Sequence, residues 1–168
     1  MSIPFERYFG LLGRFVHSWS MFERQLDISV AVTWHHCDGN GLGQSYPRTQ
    51  LRRKLQFLKI AISSLPGLSE HAERISLIVE RCEDLVGFRD MIIHGTADAI
   101  DDDKASLNRL VIDRIGDIRN EPVIILWHTF EAHCIAVEEV ATFALRLSEE
   151  LLSMSARMAS ANLSPKSR

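Results

Sequence analysis

Three residues near the middle of the chain carry side chains that phosphate chemistry uses. Arg89 and Asp90 are adjacent, and His94 follows four residues after Asp90. An arginine can hold two phosphate oxygens with its planar guanidinium. A histidine can move a proton to or from a reacting oxygen near neutral pH. Asp90 can orient either of the other two, so we take all three as the candidate catalytic set.

A helix must carry these residues if they are to lie along one edge. Apolar residues recur at helical spacing from about Ser69 onward, which predicts a helix that ends near His94. On this helix Asp90 and His94 share a face, and Arg89 lies about 140° from His94. We expect Gly95 just past the helix end, in the left-handed conformation that glycine tolerates. The helix dipole then favours a positive charge on His94.

This arrangement resembles the signature of the HEPN superfamily, in which an arginine, a polar residue and then a histidine close a long helix. Arg89, Asp90 and His94 match that signature residue by residue. The resemblance implies an all-α fold, a HEPN-like up-and-down bundle of four to five helices over residues 1–155. It also implies a homodimer. In catalytic members it implies a metal-independent endoribonuclease with its site at the dimer cleft, in a toxin or defence protein.

The resemblance also implies a mechanism. The 2′-hydroxyl of the RNA attacks the neighbouring phosphate, His94 acts as general acid or base, and Arg89 stabilises the developing charge. The alternative is a non-catalytic helical dimer that binds a nucleotide, RNA or a protein partner, since a fold alone does not determine function.

One position limits the choice of partner. HEPN toxins that are paired with small nucleotidyltransferases often carry a tyrosine two residues after the histidine, where this chain has Thr96. Silencing by nucleotide transfer to that tyrosine is not expected here. A different antitoxin protein stays open as a partner.

Two helices precede this segment. Apolar spacing predicts a long first helix near residues 5–35, and its broad apolar face, with Phe15, Trp19 and Phe22, favours contact with a second subunit.

Residues 48–64 form the second predicted helix. Its basic side chains either form a solvated face or follow a phosphate backbone, and they give the candidate RNA-binding residues Arg48, Arg52, Arg53, Lys54 and Lys59.

Between the third predicted helix and a fourth, the helical spacing of apolar residues gives way to a pattern that is typical of strands. Residues 107–115 and 123–129 are rich in valine and isoleucine, which predicts a small β-hairpin inserted between helices three and four. Thr129 can cap the fourth helix. The small and polar residues 156–168 predict a flexible C-terminal tail.

Other polar groupings are weaker candidates for a site. The acidic run 101–103 could hold a divalent ion, but consecutive acids usually solvate a turn. Histidines and cysteines at 35–37 and 128–134 lack the spacing of a zinc site. The glycine-rich loop 37–47 lacks the ending of a P-loop. We therefore expect neither a metal nor a cofactor.

Composition limits the partners further. The formal net charge of −3 gives no global basic field to attract nucleic acid, so RNA contact must be local and no DNA partner is expected. A hydrophobic content of 46% is ample for the core of one domain. Three widely spaced cysteines predict no disulfide framework and a cytoplasmic location. No apolar run is long enough to predict a membrane partner.

Overall fold

The computed structural model describes residues 3–43, 45–47, 50–112 and 116–163, and this part of the chain is mostly helical, as the sequence predicts. In chain order, its elements are helix α1 (Ile3–His36), a 3₁₀ turn (Gly39–Leu42), helix α2 (Leu51–Ser64), a second 3₁₀ turn (Pro66–His71), helix α3 (Ala72–His94), strands β1 (Gly95–Ile100), β2 (Lys104–Ile112) and β3 (Ile118–Leu126), and helix α4 (Trp127–Leu163).

The helices agree with their predicted positions except at some ends. Helix α4 begins at Trp127, ahead of the predicted cap at Thr129. Trp127 is fixed there by two hydrogen bonds to the turn before β2, from its backbone N to Asp103 O at 3.2 Å and from its indole nitrogen to Asp102 O at 2.8 Å. At the other end α4 continues to Leu163, so residues 156–163 of the predicted tail are helical.

A three-stranded antiparallel sheet, in the order β1-β2-β3, connects α3 to α4. Its β2–β3 part is the predicted hairpin, in which Lys104 lies opposite Leu126 and Ile112 lies opposite Ile118. In the turn between β1 and β2, the Asp101 carboxylate accepts hydrogen bonds from the backbone nitrogens of Asp103 and Lys104, at 3.0 and 2.9 Å. The acidic run therefore shapes a turn, as aspartate commonly does.

The residues group into two compact units, each of which is assembled from distant parts of the sequence. Unit 1 comprises Met1–Trp19 and Arg81–Glu139, and unit 2 comprises Ser20–Glu80 and Val140–Arg168. Helices α1, α3 and α4 contribute residues to both units. The single domain over residues 1–155 stays a prediction.

In unit 1, α1 and α4 lie side by side and run in the same direction. Arg7 pairs with Glu131 at 2.8 Å, and Arg14 pairs with Glu138 at 2.5 Å through two hydrogen bonds. The two contacts advance by the same number of residues along both helices. A parallel pairing gives this pattern, whereas an antiparallel one would reverse it.

Helix α3 runs against α4 in the same unit. Arg81 pairs with Glu139, and Phe88, further along α3, stacks on His133, which is earlier on α4. Since α4 is parallel to α1, α3 is antiparallel to α1. Successive helices of an up-and-down bundle alternate in direction, which would make α1 and α3 parallel, so strict alternation does not hold here. The long connection between α1 and α2, over residues 37–50, allows this departure.

Aromatic rings hold the three helices of unit 1 together. The ring centroids of Phe15 and Phe88 are 5.4 Å apart, those of Phe88 and Phe130 are 5.3 Å apart, and those of Phe130 and Tyr8 are 6.2 Å apart. All three pairs meet edge to face or close to it, an arrangement that adds to the stabilisation from burial. Phe15 and Phe130 are completely buried. The cluster fixes the part of α3 that leads to Arg89.

The apolar surface of α1 differs from its prediction. Phe15, Trp19 and Phe22 are 0%, 5% and 0% exposed, so they are core residues and offer no surface to a second subunit. The exposed apolar residues of α1 are instead Phe5, Phe9 and Val16, at helical spacing. Sequence periodicity locates apolar faces but does not tell which of two adjacent faces a neighbouring helix covers.

Unit 2 has its own core and a buried polar pair. Leu26, Leu58, Ile78 and Leu147 are at most 1% exposed. The hydroxyl of Ser148 donates to Gln25 Oε1 at 2.8 Å, and both side chains are buried. Among the described helices of the chain, none is both long and apolar enough to cross a lipid bilayer.

Candidate functional site

The candidate catalytic residues lie in the last turns of α3, in unit 1. Arg89 Nη1 donates to Asp90 Oδ1 at 2.8 Å, and the two side chains are 34% and 38% exposed. Asp90 thus engages Arg89, which is one of the two roles that the sequence leaves open. A guanidinium has five N–H donors. One bond to Asp90 therefore leaves donors that could face a phosphate.

His94 is exposed at the carboxyl end of α3. Within the described ranges, no hydrogen bond joins its ring to Asp90. Arg89 follows the buried Leu85 by one turn and precedes the buried Ile92, so it lies close to the core-facing side of the helix. His94 is about 140° further round. In one copy of the chain, the two groups therefore point in different directions.

Gly95 connects α3 directly to β1, and its expected left-handed conformation is wrong. Among the described residues, the glycines with positive φ are Gly43 and Gly116. Glycine is needed at position 95 for a steric reason. A Cβ atom there would lie 2.6 Å from the backbone oxygen of Met91 and 3.3 Å from the Leu107 side chain. The close approach of Gly95 to the Met91 carbonyl of α3, with Leu107 of β2 on the other side, therefore requires glycine directly after His94.

The candidate RNA-binding residues belong to unit 2, and they differ in exposure. Arg52, Arg53 and Lys59 are exposed on α2. Lys54 is only 7% exposed, and its Nζ lies 2.5 Å from Asp27 Oδ1, so its charge is already paired inside the protein. Arg48 lies outside the described residues. A phosphate track on α2 stays a prediction, and it rests on the three exposed side chains.

A shallow cavity of about 340 Å³ lies on unit 1 between α3 and α4, lined by Arg81, Asp84, Leu85, Ala132, His133 and Ala136. The Nδ1 atom of His133 lies 2.7 Å from Thr129 O, so it carries the proton and donates it to that carbonyl. The ring also stacks on Phe88 at 3.8 Å between centroids. His133 is thus a hydrogen-bonded, partly buried histidine. No group of three or more potential metal ligands occurs among the residues that the structure describes.

A second polar cluster, in unit 2, is not singled out by the sequence. It joins His71 and Arg74 to Glu150. On α4, polar residues recur along one face at positions 146, 149, 150, 153 and 157. That spacing is the only signal in the sequence, and an ordinary solvated helix face gives the same signal.

Comparison with family models, curated proteins and solved structures gives no match for this chain.

Proposed function

We propose that the chain is a metal-independent endoribonuclease of HEPN type, active in the cytoplasm as a toxin or defence protein. The observation that supports this best is the pairing of Arg89 with Asp90 close to the exposed end of α3, one turn before the exposed His94. The pair holds the guanidinium in place near the same helix end as a residue that can transfer protons, although the two side chains point in different directions. RNA or a nucleotide is the proposed partner at this surface.

The proposed reaction needs only these side chains and the RNA. His94 accepts the proton of a 2′-hydroxyl as that oxygen attacks the adjacent phosphorus, and the bond to the 5′-oxygen breaks. A proton must then reach the departing oxygen, and a histidine that has just accepted one can supply it. Arg89 stabilises the charge on the phosphoryl oxygens. The products are a 2′,3′-cyclic phosphate and a 5′-hydroxyl.

A second copy of the chain would complete the site. Arg89 and His94 diverge on α3, but a two-fold axis can bring the arginine of one copy opposite the histidine of the other. The exposed Phe5 and Phe9 of α1 belong to the same unit and supply apolar surface for such contact. We expect light scattering to report a dimer at micromolar concentration, and Phe9→Glu to shift it toward monomer. A wild-type monomer across that range would remove the composite site.

The second candidate is a non-catalytic helical dimer that binds a nucleotide, RNA or a protein such as an antitoxin. It is favoured by the lack of a hydrogen bond between Asp90 and His94, because proton-transferring histidines usually have an orienting partner. Binding without cleavage distinguishes this candidate from the nuclease.

The deciding experiment follows the cleavage of labelled RNA in the presence of a chelator. Arg89→Lys keeps the charge and loses the two-pronged donor, and His94→Gln loses the proton transfer. Each should fold normally and lose activity by about 100-fold or more, the usual effect of removing one transition-state donor. Exposed residues of the same unit supply matched controls, Arg119→Lys and His17→Gln, which should cleave like the wild type.

The substrate provides an independent test of the nucleophile. RNA with a 2′-deoxy substitution at the scissile position should resist, and the products of unmodified RNA should end in a cyclic phosphate. Equal cleavage of the substituted RNA would rule out the 2′-hydroxyl mechanism. Full activity in both Arg89→Lys and His94→Gln would show that these residues are only the polar end of a structural helix.

A further inference from the structure

His71, in unit 2, is a buried side chain with one ring nitrogen unsatisfied. The residue ends the 3₁₀ turn before α3 and is 5% exposed. Its Nδ1 lies 3.2 Å from Glu150 Oε2. Its Nε2 has no hydrogen-bond partner within the described ranges, and Glu70 Oε1, at 3.6 Å, is too far for a hydrogen bond. Burying an unpaired polar atom costs about 1–3 kcal/mol, so a ligand that formed a hydrogen bond with Nε2 would remove this cost.

The same histidine lines a cavity of about 520 Å³ in this unit. The other lining residues are all polar and are Glu70, Arg146, Glu149, Glu150, Ser153 and Arg157. Five of the seven come from one face of α4. Arg146 is one helical turn before Glu150, and Arg157 is about two turns after it. The cavity therefore has carboxylates and an imidazole at its centre and a guanidinium towards either end.

The charges at the centre have a fixed arrangement. Arg74 pairs with Glu150 and lowers the pKa of that carboxyl, an effect that burial partly opposes. Glu150 therefore stays ionised and accepts the Nδ1 proton of His71. If the ring is neutral, this bond places its proton on Nδ1, which makes Nε2 a hydrogen-bond acceptor. Glu70 and Glu149 add further acceptors.

The two arginines at the ends are open to an anion. Arg146 and Arg157 are both exposed, and within the described residues neither makes an ion pair with a carboxylate. Guanidinium groups bind phosphate through paired N–H donors. Among the described lining residues His71 has the one aromatic ring, and at 5% exposure this ring offers a nucleobase little surface for stacking. The acceptors at the centre match hydroxyl groups, since a carboxylate commonly accepts a hydrogen bond from a sugar hydroxyl.

We propose that this cavity binds a small sugar phosphate, with hydroxyls on His71 Nε2 and the carboxylates and the phosphate on Arg146. The assignment to Arg146 follows from its single-turn separation from Glu150, against two turns for Arg157. The site is independent of the Arg89–His94 chemistry, because all its residues belong to unit 2. A free amino acid, with an ammonium group for the carboxylates, is the competing ligand.

Isothermal titration calorimetry on the full chain tests the proposal with ribose 5-phosphate as the probe. Ribose, inorganic phosphate and L-glutamate are titrated in parallel. We expect one ribose 5-phosphate per chain and at least tenfold weaker binding of the other three. Arg146→Gln should weaken ribose 5-phosphate at least tenfold, and Arg157→Gln should weaken it less. Arg24→Gln, at an exposed arginine of the same unit outside the cavity, is the matched control and should bind like the wild type.

Several outcomes would overturn the proposal. They are no heat from ribose 5-phosphate at millimolar concentration, equal affinity for inorganic phosphate, tighter binding of L-glutamate, and unchanged affinity in Arg146→Gln. Arg146 is exposed, so its substitution should leave the fold intact, and circular dichroism checks this. His71→Gln should also lose binding. Because that buried residue could be needed for folding, Arg146→Gln carries the decision.

Discussion

Replacing Gly95 by alanine tests the steric account of the junction that positions His94. The added methyl group would lie 2.6 Å from the backbone oxygen of Met91. A Cβ atom is not tolerated at that distance, and a backbone oxygen cannot rotate away as the end of a flexible side chain can. The end of α3 or the start of β1 must therefore shift. Leu107, at 3.3 Å on the other side, limits the direction of that shift.

The size of the effect can be compared with that of an opposite change eight residues earlier, inside α3. Overpacking of this kind costs about 1–3 kcal/mol. Gly87 lies inside α3, and a Cβ there would meet no atom within 4 Å. Because glycine inside a helix is less stable than alanine by about 0.5–1 kcal/mol, Gly87→Ala should increase the free energy of unfolding. The same substitution is thus expected to have opposite signs at positions 87 and 95.

Urea denaturation followed by circular dichroism measures both variants. With a denaturant slope of about 2 kcal/mol/M, the midpoint should fall by about 0.5–1.5 M in Gly95→Ala and rise by about 0.3–0.5 M in Gly87→Ala. If Gly95→Ala were as stable as the wild type, the close approach of helix and strand would not be what requires glycine. If both substitutions shifted the urea midpoint in the same direction, the space around each glycine would not explain their effects on stability.

Three further predictions follow from buried and paired groups. Burial raises the pKa of the Cys134 thiol to about 11, and the other two cysteines are also buried. Iodoacetamide at mildly alkaline pH should therefore modify none of the three until urea unfolds the chain. Mass spectrometry counts the modified cysteines before and after unfolding. The hydrogen bond from Arg14 lowers the pKa of Glu138, so the stabilisation is complete above the ordinary carboxyl pKa and is lost as the pH falls through the lowered value. Urea midpoints over a pH series should therefore drop more steeply in acid for the wild type than for Glu138→Gln, and the difference should be small because the pair is exposed to solvent. Ser148→Ala leaves the buried Gln25 without its partner and should lower the free energy of unfolding by about 1–3 kcal/mol in the same assay.

The helices could be predicted because their apolar period is long and regular, and the carboxyl end of α3 falls at His94 as expected. Strand β1 could not be predicted. Its residues, GTADAI, are mostly small or polar and have little intrinsic strand preference. The strand forms because β2 provides a backbone to pair with, and such pairing is a tertiary effect that local sequence does not carry.

The site residues stay a prediction, and their contacts could not be predicted from the sequence. The helical period could have placed Lys54 on the core face, since it is one turn before the buried Leu58, but its partner Asp27 is on another helix. Whether Asp90 pairs with Arg89 or with His94 depends on the side-chain rotamers near the end of α3, which the sequence does not give. His71 gives no sequence signal, because its partner Glu150 is distant in the chain.

The parallel pairing of α1 with α4 has a consequence during synthesis. Arg7 and Glu131 are 124 positions apart, as are Arg14 and Glu138, so α1 leaves the ribosome long before α4, with which it pairs. Contacts of such long range slow folding. Until α4 emerges, Tyr8 and Phe88 lack their partner Phe130, and the nascent chain exposes these aromatic side chains. Chaperone binding to α1, or aggregation when translation stalls before residue 127, is the outcome to look for in the cell.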